Sequence, residues 1–172
     1  MPEIEIYNEQ QYPVNHERLR EAVAAVIAQE NAAPDSVVSV VITDNDGVAA
    51  LNLEYRGIDA PTDVLSFPSE PLPEELRDAL GDEDEDAAYL GDLVIAFPYA
   101  SAQAEREQHA LDDSLGLLVV HGTLHLLGYD HDTPERKAVM WAAQARALET
   151  LGIPTHIVPA LEGDHGDEQA RP

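Results

Sequence analysis

The stretch His121-Gly122-Thr123-Leu124-His125-Leu126-Leu127-Gly128-Tyr129-Asp130-His131 decides how this chain is read. Two histidines four apart on a helix differ by about 40° around the axis and about 6 Å along it, so both imidazoles reach one ion. A third ligand has to come from beyond the helix, which must therefore stop and let the chain turn back. Gly128 permits that stop, because a residue without Cβ adopts positive φ at little cost. His131 then arrives three residues later. Three protein nitrogens leave the fourth tetrahedral position of a zinc ion open, the pattern of a catalytic rather than a structural site. A set of satisfied buried histidines on an apolar helix is the plain alternative, and three at this spacing around a glycine stop argue against it. A structural zinc more often fills all four positions, usually with cysteine, and the chain has none.

Outward from that stretch, the spacing predicts a helix over about Asp113–Leu127, preceded by one that Pro98 opens and that runs to about Ala110. Thr133-Pro134-Glu135 opens a third, with Ala138, Trp141, Ala142, Ala145 and Leu148 as its core stripe and Gly152 and Pro154 closing it. Toward the N-terminus, residues 3–7 alternate as a short strand, and Val14–Asn31 carries Leu19, Val23, Val26 and Ile27 at helical spacing behind an Asn15 cap. Residues 36–42 (SVVSVVI) are nearly continuous β-branched sequence, which suits a strand buried on both faces. Asp44-Asn45-Asp46-Gly47 reads as a turn, followed by a short helix over Ala49–Tyr55 that ends near Gly57. Asp63–Phe67 and Leu93–Phe97 read as two more strands. The expected fold is α+β, α/β-like: a small mixed sheet of about four strands covered by about five helices, one of them a zincin-like metal helix.

The 172 residues suit one core, and the domain is expected over 1–158, followed by an acidic, disordered tail at 159–172. No basic, apolar leader opens the chain and no run approaches the roughly 18 apolar residues of a membrane span, so a cytoplasmic location with no membrane partner is expected. Against 34 Asp and Glu stand nine Lys and Arg, a formal net charge of −25. Residues 70–86 hold part of that excess, nine acidic residues and one Arg, and read as an acidic loop. Such a field repels polyanions. It reads as the general acidity of an organism's proteins rather than as a functional surface.

The histidine spacing also fits H-E-x-x-H-x-x-G-x-x-H of the metzincin proteases, except that Gly122 stands where those enzymes need their glutamate base. A metal-dependent peptidase of metzincin-like geometry is therefore the runner-up. HGTLHLLGYDH instead closely resembles the signature of the YbeY family. So do Leu51-Asn52-Leu53-Glu54-Tyr55-Arg56-Gly57 with Pro61-Thr62-Asp63-Val64-Leu65-Ser66-Phe67-Pro68, and Gly91-Asp92-Leu93-Val94-Ile95. The resemblance covers most of residues 36–152. It implies a single-strand-specific metallo-endoribonuclease with one zinc on His121, His125 and His131, acting in 16S rRNA 3′-end maturation and ribosome quality control. Its partners would be single-stranded RNA and the ribosome or its proteins, not DNA. The family's essential arginine maps onto Arg56, which read without the resemblance is a surface residue after a helix. A planar guanidinium there suits the charge that builds on phosphoryl oxygens. The scarcity of Lys and Arg conflicts with an RNA substrate, which keeps a third reading open, a ribosome-assembly factor with a structural metal. No general base stands out. Asp130, beside a ligand, reads equally as a partner that orients an imidazole, while Asp63 and Asp92 fit turn and strand-end roles as well as a cleft. His16, His109, His156 and His165 fall outside the motifs.

Overall fold

The computed structural model describes residues 2–69 and 89–156. The acidic loop near 70–86 and the tail at 159–172 lie outside the described residues. Strands β1 (Glu3–Tyr7), β2 (Val37–Thr43), β3 (Val64–Pro68) and β4 (Tyr89–Ala96) form one mixed sheet in the order β1-β2-β4-β3. β1, β2 and β4 run parallel, and β3 pairs antiparallel with β4, Val64 opposite Ile95. The β-branched run of β2 is central, where both faces are covered and continuous apolar sequence is needed.

Five helices are described: α1 (His16–Gln29), α2 (Asn45–Arg56), α3 (Phe97–Glu107), α4 (Leu111–Leu126) and α5 (Pro134–Leu151). The main core lies between one sheet face and α1, α4 and α5, with Val23, Val40, Leu93, Leu115, Leu124 and Met140 among its buried members. A smaller cluster of Val48, Leu65, Val94 and Ala96 packs α2 on the opposite face. α4 is buried almost continuously from Leu115 to Leu126, which is why it is apolar around its whole circumference rather than striped. No described helix is long and apolar enough to cross a membrane.

The expected elements are all present, with shifted limits. Asp44-Asn45-Asp46-Gly47 is the start of α2 rather than a separate turn: Asp44 Oδ1 accepts from Gly47 N at 2.7 Å as an N-cap. The same residue types serve both purposes, so the sequence reads either way. β4 begins four residues before the expected Leu93, running through Gly91 at φ 141° beside an irregularity in its pairing with β2. A glycine inside a strand interrupts the pattern that reveals it. Phe97 belongs to α3, and α3 stops at Glu107, before the expected Ala110, with Gln108 left-handed at φ 63°. On α5 the buried face is Met140, Ala143, Gln144, Ala147 and Leu148; of the expected stripe Leu148 is buried, Trp141 and Ala145 are half-buried, and Ala138 and Ala142 are exposed. Alanines on every side of α5 make several faces look equally apolar. The face that is chosen contains a glutamine.

Candidate metal centre

Helix α4 carries His121 and His125 into the interior, and its ending delivers the third histidine. Tyr129 N donates to Leu124 O and Gly128 N to His125 O, both at 3.0 Å, with Gly128 at φ 104°. These are the two hydrogen bonds of a Schellman stop. The chain then reverses. Asp130 Oδ1 accepts from His131 N at 2.8 Å, and Thr133 Oγ1 accepts from Arg136 N at 3.1 Å to start α5. Asp130 thus holds the backbone of His131 in place.

The structure brings the three expected histidines together. One ring nitrogen from each of His121, His125 and His131 lies within 4.8 Å of the others, a group that could hold a metal ion. The Trp141 ring forms a wall, its centroid 5.7 Å from both His121 and His131. Two of the rings are oriented from behind. His121 Nδ1 lies 2.9 Å from Gln144 Oε1, and His125 Nδ1 lies 2.9 Å from Tyr129 O. Both partners are acceptors, so each Nδ1 carries the proton and each Nε2 presents its lone pair. His121 Nε2 is buried with no hydrogen-bond partner. A buried, unpaired nitrogen costs free energy, and a cation at this point removes that cost. The residues fit a metal on this ground and on their chemistry, since neutral imidazoles are good zinc ligands.

Electrostatics keep two of the three histidines neutral. Burial, then the neighbouring His125, holds His121 well below the usual imidazole range despite the Gln144 hydrogen bond. His125 is lowered to about 4 by burial first and by His131 next, opposed by Asp130; Arg56 lowers it further. That last effect locates Arg56. It ends α2 just before Gly57, which caps the helix at φ 74°; its side chain is exposed, and its charge is felt at a ligand of the site.

Other candidates fall elsewhere. Asp63 is fully buried and accepts from Val64 N at 2.8 Å, a strand-start role. Asp92 accepts from Tyr89 Oη on the sheet face, in a groove edged by Tyr7, Tyr55 and Phe67. His16 opens α1, while His109 and His156 pair with each other, ring centroids 5.9 Å apart. His165 lies outside the described residues. Gln144 and Tyr129 are the contributors that sequence reasoning missed. The signal for Gln144 is its helical spacing from Met140 and Ala147, legible once the buried face of α5 is known.

Gly122 separates this site from a protease. A Cβ there would meet Leu93 Cδ2 at 2.7 Å and Ser66 Oγ at 3.2 Å, so the position faces the sheet and has no room for a glutamate. The fold and site together define a small α+β protein with a cluster of three histidines that could hold a metal ion at the end of a buried helix. A family model described as Endoribonuclease YbeY matches residues 5–152. Proteins named Endoribonuclease YbeY are similar over most of their length. The one from Geobacillus kaustophilus is 44% identical, covering 80% of this chain and 86% of the relative. That from Streptomyces griseus is 35% identical over 98% and 96%. The solution structure of TM1509 from Thermotoga maritima shares the fold, with a TM-score of 0.56 and 23% identity over 98% of this chain and 95% of that one. The chain belongs to the endoribonuclease YbeY family. Neither the peptidase nor the assembly-factor reading is favoured by these relatives.

Proposed function

We propose that this chain is a zinc-dependent, single-strand-specific endoribonuclease, active in 16S rRNA 3′-end maturation and ribosome quality control. In this reading it works in the cytoplasm on RNA presented by the ribosome or its proteins. One zinc per chain is held by His121, His125 and His131, and residues 1–158 act as a single domain. The observation that carries the reading is the buried, unpartnered Nε2 of His121 facing two further imidazoles, in a member of a family named for endoribonuclease activity.

When bound, zinc would supply Lewis acidity toward a water molecule or a phosphate oxygen. The chain's own groups do the rest. Gln144 and the Tyr129 carbonyl keep two imidazoles pointing inward, and burial keeps them unprotonated. Arg56 accepts the phosphoryl charge that grows during cleavage, its planar guanidinium giving two parallel hydrogen bonds. Trp141 narrows the site on one side.

The test incubates zinc-loaded protein with a single-stranded RNA carrying the 16S 3′ end, with its duplex form, and with casein. Cleavage of the single strand alone, lost on His125→Ala together with the zinc, is the expected result. Casein cleavage at ordinary enzyme rates, or intact RNA with stoichiometric zinc, would overturn the proposal.

A further inference from the structure

Glu30 breaks a local rule. It is the C-cap of α1, where the helix dipole disfavours a carboxylate, and its side chain is only 16% exposed. A charge held where local preference is against it points to a role outside its own helix. Its two oxygens are engaged in different directions. Oε1 accepts from Tyr129 Oη at 2.6 Å, and the carbonyl of the same tyrosine accepts from His125 Nδ1. Oε2 accepts from Gln29 Nε2 at 2.8 Å, and that amide also donates to Ala143 O at 3.0 Å. Ala143 immediately precedes Gln144, which accepts from His121 Nδ1. Arg146 Nη2, also on α5, lies 3.7 Å from Oε2.

We propose that Glu30 and Gln144 are positioning residues of the metal centre, joined in one brace that fixes the tautomer and direction of both helix-borne imidazoles. The inference rests on the reading that the three histidines hold a metal. One arm runs from Glu30 through Tyr129 to His125. The other runs through Gln29 and the α5 backbone to Gln144 and His121. Gln144 is 3% exposed, and its amide oxygen can only accept, so it selects Nδ1–H on His121 without adding charge to the site. Groups in this position commonly set metal affinity by about 10–100-fold.

The experiment compares full-length wild type, Gln144→Leu, Gln144→Glu, Glu30→Gln and Tyr129→Phe. Zinc dissociation constants come from competition with a chromogenic chelator, ring tautomers from 15N-histidine spectra of the metal-free protein, and folding from thermal melting. Gln144→Leu is expected to bind zinc about 10–100-fold more weakly and to show mixed tautomers at His121. Gln144→Glu, which can still accept from Nδ1–H, should restore both. Glu30→Gln should disturb the resonances of His121 and His125 together, and Tyr129→Phe those of His125 alone. A role confined to packing would lower the melting temperature and leave the tautomers as they are. The brace is overturned if folded Gln144→Leu keeps wild-type tautomer and affinity, or if Glu30→Gln leaves both histidines undisturbed. Should Gln144→Leu fail to fold, the Glu30 and Tyr129 variants decide alone. Wild type that binds no zinc defeats the metal reading, whereas the tautomer comparison needs no metal and still judges the brace.

Discussion

Arg56 stands at the end of α2 with its side chain in solvent and its field reaching His125. Replacing it removes a charge without opening a cavity, so Arg56→Ala should keep its melting temperature and zinc content. Single-turnover cleavage of single-stranded RNA should fall by about 10²–10³-fold, the usual cost of losing one donor to transition-state charge. Arg56→Lys should recover only part, since an ammonium offers a point charge and no fork. Equal rates for wild type and Arg56→Ala would reduce Arg56 to a surface residue. The histidines carry a second expectation, on acid stability. His125 is held at about 4 and His121 also well below its ordinary value, whereas an unfolded imidazole titrates near about 6.5. Below about 6.5 the unfolded chain therefore takes up protons that the folded chain refuses. Stability of the metal-free protein is complete above that pH and is lost as pH falls toward 4. Melting in the presence of chelator from pH 7.5 to 5 measures this, and a flat profile would mean that the rings are not buried as neutral bases.

At the scale of elements, α4 meets the sheet at Gly122, and β4 meets β3 at Gly91, with no room for a Cβ at either position. A Cβ on Gly91 would lie 2.4 Å from Phe67 O, and its φ of 141° is one that other residues rarely adopt. Gly91→Ala should cost at least about 1–3 kcal/mol in chemical denaturation, and a variant as stable as wild type would show that β3 yields easily. Gly122→Glu should lower stability by crowding Leu93 and Ser66 and should create no peptidase activity. The same two elements mark where sequence reading succeeds and where it stops. The helix-glycine-histidine order of α4 is a local device, so its stop and the convergence of its histidines are legible from spacing. The strands β1 and β2 are legible because burial dictates their alternation or continuity. The start of β4 is not, because Gly91 serves its close contact with β3, a neighbouring strand remote in sequence. The buried face of α5 is hidden for a related reason. Gln144 is chosen by its bond to His121 across the core, and no periodicity within α5 encodes that.

Over the whole molecule, 34 acidic residues against nine basic ones oppose the approach of a phosphate backbone. A typical single-strand binder loses affinity as salt rises, with a slope near about −0.7 per neutralised phosphate. Here screening also weakens a repulsion, so affinity for free single-stranded RNA should be low and nearly independent of salt between about 50 and 200 mM. Titration by fluorescence anisotropy tests this, and a steep loss with salt would reveal a basic surface that the overall charge conceals. The compactness of the ligand set has another consequence. All three histidines of the proposed metal site fall between positions 121 and 131, on one helical turn and the loop that follows it. If it holds zinc as proposed, a site so local would persist in part when the rest of the chain is unfolded, as residual zinc affinity. An ion that binds both states stabilises the fold by less than its dissociation constant alone implies. Zinc should raise the melting temperature less than its affinity suggests, and a peptide of residues 115–133 should bind it weakly. The nascent chain would then capture its ion once His131 is exposed, before Gln144 arrives to tighten the grip.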